Sequence, residues 1–573
     1  MEWKFDKNID KKSVENLSKQ LKIPSIIARI LLKRNINTFE KAKKFFRPNK
    51  KDFYKPSLMK GMQIATDRII EAINNNQKIL IYGDYDVDGT CSVALMMLFL
   101  KRLNAEVVFY QPDRYLEGYG ISMQGVELAR EKNINLIIAL DCGVKAIEQA
   151  KKISSYNIDL IICDHHFPGK TLPISLAMLN PKQEGCSYPF KELCGCGLAF
   201  KLIQNIIKTE NISKFSAIEY LDIVAVATAA DIVPLVDENR LITSIGIDLL
   251  NDSPRKCFKQ MLDYAKRNKK IEISDIVFGI APRINAAGRL KHASLATKLI
   301  INTKNIITNC QEIEKLNIER KELDKRITDE ALSFLHEEKT QKYTSVVYDE
   351  NWHKGVVGIV ASRLIETYYR PTIVLCKDGD IISGSVRSVS GFDIYEVLYE
   401  IKDIFIKFGG HKYAAGLSLC ENKLDELKIR FEEEVKKRIT KEQTIPGLII
   451  DGVIDSKDLY PDIKNNPYPK LFRLVNQLAP FGPGNMRPTF VMKKLKNAGY
   501  SKIVGENHIK FHIKQKEDDD SKALFGIGFN MKDSYSILKD KKEFSLAFNL
   551  DKNEYEGFQS LQLNVKDIKK TFY

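Results

Sequence analysis

Long uncharged apolar runs are missing from this sequence. The longest, Gly89 to Leu100, stops at Lys101, well short of the roughly 18 residues that a membrane-spanning helix needs. The opening Met1-Glu-Trp-Lys-Phe-Asp-Lys holds no apolar stretch that reads as a signal peptide. A cytoplasmic protein with no membrane partner is the expectation. Paired cysteine motifs are also missing: ten cysteines are scattered through 573 residues, which in a reducing compartment implies small buried side chains in place of a disulfide framework. Cys186, Cys194 and Cys196 lack the second CxxC pair of a zinc site. They precede Gly197-Leu-Ala-Phe at the start of an apolar helix, so they read as small-residue packing. No Gly-x-x-x-x-Gly-Lys-Ser/Thr occurs, which argues against an ATP motor of that type. Internal repeats and long low-complexity segments are absent as well.

What is present is enough apolar material, 44% of residues, to build real cores, and a length that calls for about three to five domains. Lys and Arg number 89 against 74 Asp and Glu, a net charge of +15. A polyanionic partner is compatible with that excess but not demanded by it.

From Lys78 to about Val233, short apolar runs alternate with acidic or Gly-rich turns and segments of helical spacing. The runs Lys78 to Tyr82, Glu106 to Tyr110, Ile134 to Leu140 and Ile158 to Cys163 have the length of buried parallel strands, and Ser92 to Lys101 and Val144 to Ile153 supply crossover helices. The fold class is α/β, a doubly wound, mostly parallel sheet. Asn305 to about Glu338 predicts a long, solvated helix joining two lobes. Ser345 to Tyr348 and Thr372 to Cys376 open a second, smaller α/β domain that runs to about Thr440. The last 130 or so residues alternate at a spacing of two, as in His508-Ile-Lys-Phe-His-Ile-Lys, and predict a C-terminal β-barrel of the OB type. The expected domains are 1–60, an accessory helical segment; 61–304, catalytic; 305–338, connecting helix; 339–440, second lobe; and 441–573, barrel.

The chemistry is concentrated where carboxylates meet strand ends. Lys78-Ile-Leu-Ile-Tyr-Gly runs into Asp84-Tyr-Asp86-Val-Asp88-Gly, Ile134 to Leu140 is capped by Asp141-Cys-Gly, and Ile158 to Cys163 by Asp164-His165-His166. Asp231 follows the apolar segment Ile223 to Ala230. Any one such Asp is usually a helix N-cap, and an isolated His-His pair is usually core or surface. Their common position carries the inference, because ligands bind at these strand ends in an open parallel sheet. Four to six anionic groups gathered there repel one another by several kcal/mol unless cations neutralise them. Carboxylates with imidazole suit Mn²⁺ or Mg²⁺, and a bridging carboxylate favours two ions acting on a phosphorus centre.

In that order, the four acidic motifs resemble those of the DHH phosphoesterase superfamily, whose fold and two-metal hydrolysis of phosphoesters the resemblance implies. Pro282-Arg283-Ile-Asn285-Ala-Ala-Gly288-Arg289 and Pro112-Asp-Arg114 with Glu117-Gly-Tyr-Gly resemble stretches of bacterial RecJ exonucleases. Trp352-His353-Lys-Gly355-Val-Val-Gly358 and Gly409-Gly410-His411-Lys-Tyr-Ala-Ala-Gly416 are similar to the DHHA1 domain, and Pro480-Phe-Gly482-Pro-Gly484-Asn485 to a motif near the OB-fold of that family.

The resemblance implies a single-stranded-DNA-specific 5′-to-3′ exonuclease of recombination and repair. In it Asp84, Asp86, Asp88, Asp141, His165 and Asp231 hold two Mn²⁺ or Mg²⁺ ions, and His166, with Asp164 and Asp88, serves the scissile phosphate. Ser385, Arg387 and Arg114 match positions that hold a terminal 5′ phosphate. Ser383, Arg283, Asn285, Arg289 and Gly410 join them as phosphate or DNA contacts. Guanidinium forks suit phosphate oxygens, but the same arginines serve equally to tie two lobes together by salt bridges. His411 either contacts the phosphate being cut or caps a following helix. The expected partners are single-stranded DNA with a 5′ end, a helicase and a single-strand-binding protein, and the expected state is a monomer. The rival readings are a phosphodiesterase for short oligonucleotides or cyclic dinucleotides, which needs no barrel, and a non-catalytic DNA-binding scaffold.

Overall fold

Tyr54–Asp231 and Ile245–Pro446 fold as one unit of the protein, and Met1–Phe53, Ile232–Ser244 and Gly447–Tyr573 as another. The structure, a computed structural model, describes all residues except 6–8, 268, 303, 338–341, 516–521, 541, 556 and 571–573. The expected joint between connecting helix and second lobe, at 338 and 339, lies outside the described residues. No helix among the described residues is long and apolar enough to cross a membrane.

The larger unit is built on a five-stranded, wholly parallel sheet. Its strands stand in the order Val107–Tyr110, Ile79–Gly83, Leu136–Leu140, Asp159–Cys163, Ala177–Leu179. Leu80 lies opposite Val108 on one side and Ile137 on the other. The central strands are buried on both faces, which is why they read as unbroken apolar runs with no alternation. The helix Val87–Arg102 starts at the first acidic turn, five residues before the sequence pattern places it, and is buried along nearly its whole length. The fifth strand, three residues long, is too short to leave a periodic signal.

Ile306–Glu337 is a single 32-residue helix, about 48 Å long at 1.5 Å per residue. The sequence predicts a solvated connector; the structure gives it one buried stripe, Cys310, Ile313, Leu316, Asn317, Arg320, Asp324, Ile327, Ala331 and Leu335, at the three- and four-residue spacing of a packed face. Its C-terminal half shares a core with Val347, Trp352, Val360 and Leu364 of the second lobe. That lobe is a five-stranded mixed sheet in the order Lys407–His411, Ala414–Leu419, Ile381–Arg387, Thr372–Asp378, Ser345–Asp349, parallel only in the last pair.

In the other unit, seven strands form a partly closed ring. Thr489–Asn497 pairs with Phe544–Tyr555 and, through Leu495 to Asn497, with His508–Gln515. The interior is filled by Phe490, Met492, Phe511, Phe544 and Phe548. Leu17, Ile27, Ile30 and Leu31 of the N-terminal helices Lys11–Leu21 and Ser25–Lys33 belong to the same apolar core, and strand Glu2–Phe5 pairs in parallel with Gly447–Ile450. Pro480 to Asn485 is a turn in which the Asn485 amide donates to the carbonyls of Leu478 and Pro480 at 2.8 and 2.7 Å.

Candidate active site

Strand Ile79–Gly83 has Val107–Tyr110 on one side and Leu136–Leu140 on the other, so the chain order reverses there and a crevice opens beyond the carboxyl ends of the strands. Asp84 follows the first of these strands. Asp86 caps the helix Val87–Arg102, its Oδ1 accepting from the Gly89 N–H at 3.1 Å, and Asp88 lies in the first helical turn. Asp141 follows Leu136–Leu140 with φ at +61°, and Ile232, beside Asp231, has φ at +60°. The left-handed region is costly for a β-branched residue, and such strain gathers at functional sites. Asp231 arrives from the end of a buried helix, Leu221–Ala230, so this carboxylate is supplied by a layer other than the sheet.

These residues converge. The ligating atoms of Asp84, Asp86 and Asp141 lie within 4.8 Å of one another, as do those of Asp88, His165 and Asp231 and those of Asp141, His165 and His166. His165 Nε2 is 3.2 Å from Asp141 Oδ1, 3.6 Å from Asp231 Oδ2 and 3.9 Å from Asp88 Oδ2. Asp84 Oδ1, Asp141 Oδ1, His165 Nε2 and Asp231 Oδ2 are buried and have no hydrogen-bond partner. Buried polar atoms are normally satisfied, and four orphans in adjoining clusters, three oxygens and an imidazole nitrogen, fit cation-binding donors, with Asp141 common to two of the clusters. The electrostatics agree. Burial, then neighbouring carboxylates, push Asp84 and Asp141 well above the usual carboxylate range, Asp88 up to about 6 and Asp231 up to about 9. Burial and the adjacent His166 bring His165 down to about 3, so it is neutral and free to ligate.

Around the centre are groups that hold it. Burial favours a neutral Asp164, but hydrogen bonds from His166 and from the Val144 N–H, the latter at 2.9 Å, outweigh it and keep the carboxyl below its ordinary value. Asp164 Oδ1 takes the His166 Nδ1 proton at 2.7 Å. Burial opposes charge on His166, and this bond more than offsets it, so the imidazole pKa is raised. Asp164 therefore orients His166 and stands behind the centre. The Tyr119 hydroxyl, 3.2 Å from His166 Nδ1 and 3.2 Å from the Asp141 carbonyl, joins two motifs. Gln111 donates to the Asp84 carbonyl at 2.8 Å and accepts from Thr297 at 2.6 Å. Neither residue carries a signal in the sequence beyond its neighbourhood.

A second cluster is cationic. Ser383, Ser385 and Arg387 share one face of strand Ile381–Arg387, and Arg387 Nη1 donates to Ser385 Oγ at 2.7 Å. A methyl group on Gly358, near the start of helix Val357–Tyr368, would lie 3.1 Å from both Arg387 and Ser385, so the first turn of that helix closes over the strand. Burial, then Arg114, with Arg320 and Arg387 among the further contributors, depresses Arg289 to about 10. Arg114, Arg289 and Arg387 have no ion pair among the described residues, while Arg114 lies over the Tyr85 ring at 4.1 Å with its Nε unpartnered. Guanidinium groups gathered with no ion pair of their own are suited to an anion.

Arg283 does not join them: it is 2% exposed, pairs with Glu314 at 2.5 Å and donates to the Gly279 carbonyl. The expected phosphate contact is replaced by a strut between Ala281–Leu290 and the long helix. Arg289 also ties the lobes, donating to the Gly355 carbonyl at 2.8 Å, while its own carbonyl accepts from Tyr115. Asn285 is half-buried on Ala281–Leu290. Gly410 and His411 end the edge strand Lys407–His411, and the residues that follow turn into a second strand, so His411 caps no helix. Burial, then Lys145 and His166, lower its pKa, which puts it within electrostatic reach of the centre.

On the barrel, His508, Lys510, His512 and Lys514 alternate outward along His508–Gln515. The His512 ring lies 4.8 Å from Phe525 and 5.1 Å from Tyr500, and His508 lies 5.2 Å from Phe529. Phe525, Phe529 and Tyr500 are 50, 56 and 77% exposed, an open row of rings among lysines.

Three family models match separate parts of the chain. The DHH family, N-terminal domain, matches residues 78–228; the DHHA1 domain, 340–437; and the RecJ OB domain, 454–567. The chain is 37% identical to the single-stranded-DNA-specific exonuclease RecJ of Bacillus subtilis strain 168 over 99% of its own length and 70% of that protein. Its fold matches RecJ of Thermus thermophilus, solved in complex with Mn²⁺, with a TM-score of 0.84 at 24% identity over all of this chain and 80% of that one. A solved exonuclease RecJ bound to manganese is 30% identical, with a TM-score of 0.59 over 67% of this chain and 96% of that one.

Proposed function

The chain belongs to the RecJ family of single-stranded-DNA-specific exonucleases, and from that we propose that it hydrolyses single-stranded DNA from the 5′ end, with two Mn²⁺ or Mg²⁺ ions held at the centre that Asp84, Asp86, Asp88, Asp141, His165 and Asp231 build. The observation that carries the reading is the set of four unpartnered buried side-chain atoms spread over the adjoining acid and histidine clusters beyond the strand ends. When bound, such ions neutralise the carboxylates, polarise phosphoryl oxygens and make water nucleophilic at neutral pH.

The chain's own residues do the rest. His166, its Nδ1 proton held by Asp164, presents its other nitrogen to the scissile phosphate as a donor, and His411 approaches that phosphate from the second lobe. Arg114, Arg289, Arg387, Ser383 and Ser385 hold the terminal 5′ phosphate by charge-assisted hydrogen bonds, with Asn285 and Gly410 lining the strand's path. Such a pocket sets polarity, because a chain end must enter it before cleavage. The exposed rings Tyr500, Phe525 and Phe529 stack on unpaired bases while nearby lysines track the backbone. On this reading the catalytic domain lies in 61–304 apart from Ile232–Ser244, the connector in 305–338, the DHHA1 lobe in 339–440 and the barrel in 441–573, with 1–60 as its accessory segment. The enzyme is a cytoplasmic monomer of recombination and repair, supplied with strands by a helicase and meeting single-strand-binding protein on them.

The test is a 5′-phosphorylated single strand of several dozen nucleotides. Stepwise release of mononucleotides with Mn²⁺, abolished by chelation, is expected. Hydrolysis confined to di- and trinucleotides would replace this reading with the small-substrate phosphodiesterase, and no hydrolysis at all with the scaffold.

A further inference from the structure

Asp88 differs from the other acids of the centre in that both its carboxylate oxygens are already engaged. Oδ2 accepts from the Gly195 N–H at 2.6 Å and Oδ1 from the Cys196 N–H at 2.8 Å. These are the first two donors of the helix Gly195–Thr209, groups that have no partner within a helix and that favour an anion. Asp84, Asp141, His165 and Asp231 each present an unpartnered atom to the centre, and Asp88 presents none. Of the three carboxylates within 4.0 Å of His165 Nε2 it is the farthest, at 3.9 Å against 3.2 and 3.6 Å. The helix start that Asp88 holds is pressed against another ligand: a Cβ on Gly195 would stand 2.5 Å from the Asp141 Cβ. Cys194 caps the same helix, its sulfur accepting from the Gly197 N–H at 3.4 Å. The Cys194-Gly-Cys196 stretch thus links the first acidic turn to the second motif.

Given the two-cation reading on which this rests, we infer that Asp88 is a positioning residue and not a cation ligand: it clamps the N-terminus of Gly195–Thr209 and so sets the spacing between the Asp84–Asp86 turn and Asp141. Asp88→Asn puts an amide donor against one of the two N–H groups and breaks that bond, yet removes no ligand. Calorimetric titration of the full-length protein with Mn²⁺ separates the alternatives. Asp88→Asn is expected to bind as many ions as wild type, about tenfold more weakly, as is typical when a group supporting a ligand is changed, and to melt at a lower temperature without metal. Asp84→Asn is expected to bind one ion fewer. Asp88→Asn binding one ion fewer, with its metal-free melting temperature unchanged, would overturn the assignment. Should that variant not fold, Gly195→Ala decides: its methyl crowds Asp141 while altering no donor or ligand, so full stoichiometry with about tenfold weaker binding supports the clamp and unchanged affinity contradicts it. Wild-type protein binding fewer than two ions would instead contradict the two-cation reading, a separate failure.

Discussion

At the carboxyl end of strand Ile79–Gly83, the groups around the acidic centre are held in place: Asp164 holds His166, Gln111 holds the Asp84 carbonyl, and two N–H groups hold Asp88. On the barrel, Tyr500, Phe525 and Phe529 stand half or more exposed beside flexible lysines. The first arrangement suits a reaction at one phosphorus, where small displacements are expensive. The second suits a partner whose bases vary and whose only constants are π-faces and phosphates. Damage at the centre should therefore appear in turnover, and damage on the barrel in affinity.

The largest effect is expected from Asp84→Asn, which on the proposed two-cation reading removes a ligand worth several kcal/mol of transition-state stabilisation. Turnover on a single strand at saturating Mn²⁺ should fall about 10³-fold or more, with strand affinity in a gel-shift assay almost unchanged. A variant that lost affinity and kept its rate would erase the contrast between the regions. Next comes Arg387→Ala in the anion pocket. Charge-assisted hydrogen bonds are worth about 1.5–3 kcal/mol each, so KM for 5′-phosphorylated ends should rise about 10–100-fold and preference for the phosphate should vanish. Equal loss on phosphorylated and unphosphorylated ends would make Arg387 a lobe-tying residue like Arg283.

Tyr500→Ala and Phe525→Ala should each weaken binding by about 1–3 kcal/mol, read as Kd by fluorescence anisotropy, with kcat intact. A drop in kcat would mean that the barrel also shapes the centre. Smallest is Lys510→Ala: the slope of log Kd against log salt should shrink by about 0.7, the single-strand value for one phosphate contact. An unchanged slope would take Lys510 off the backbone path.

The same contrast decides what the sequence makes legible. The acidic centre is written locally, because each of its acids follows a buried strand or apolar segment and the fold brings those ends together. That Asp84, Asp86, Asp141, His165 and Asp231 come together is therefore readable from the order of residues alone. What supports them is not. The Gly195 and Cys196 donors are backbone groups a hundred residues away, so Cys194-Gly-Cys196 reads only as packing, and Arg283 looks like any phosphate-binding arginine until Glu314 is found beside it. Barrel strands announce themselves by alternation, but their aromatic row depends on strand register, as in His512 opposite Phe525, which a period of two does not supply. The N-terminal helices read as a free-standing cap, whereas Leu17 and Ile30 lie in one apolar core with Phe511 and Phe548, a pairing of the two ends of the chain that no local pattern encodes.

The central claim, that this centre cuts single strands from the 5′ end, is tested most directly by polarity. A single strand labelled at the 5′ end in one reaction and at the 3′ end in another is incubated with Mn²⁺, and the order of product release is followed. Release of the 5′ label first, as a mononucleotide, with the 3′ label persisting in a ladder of shortening strands, is the predicted result. Release of the 3′ label first, or cleavage within the strand before either end is lost, would contradict it.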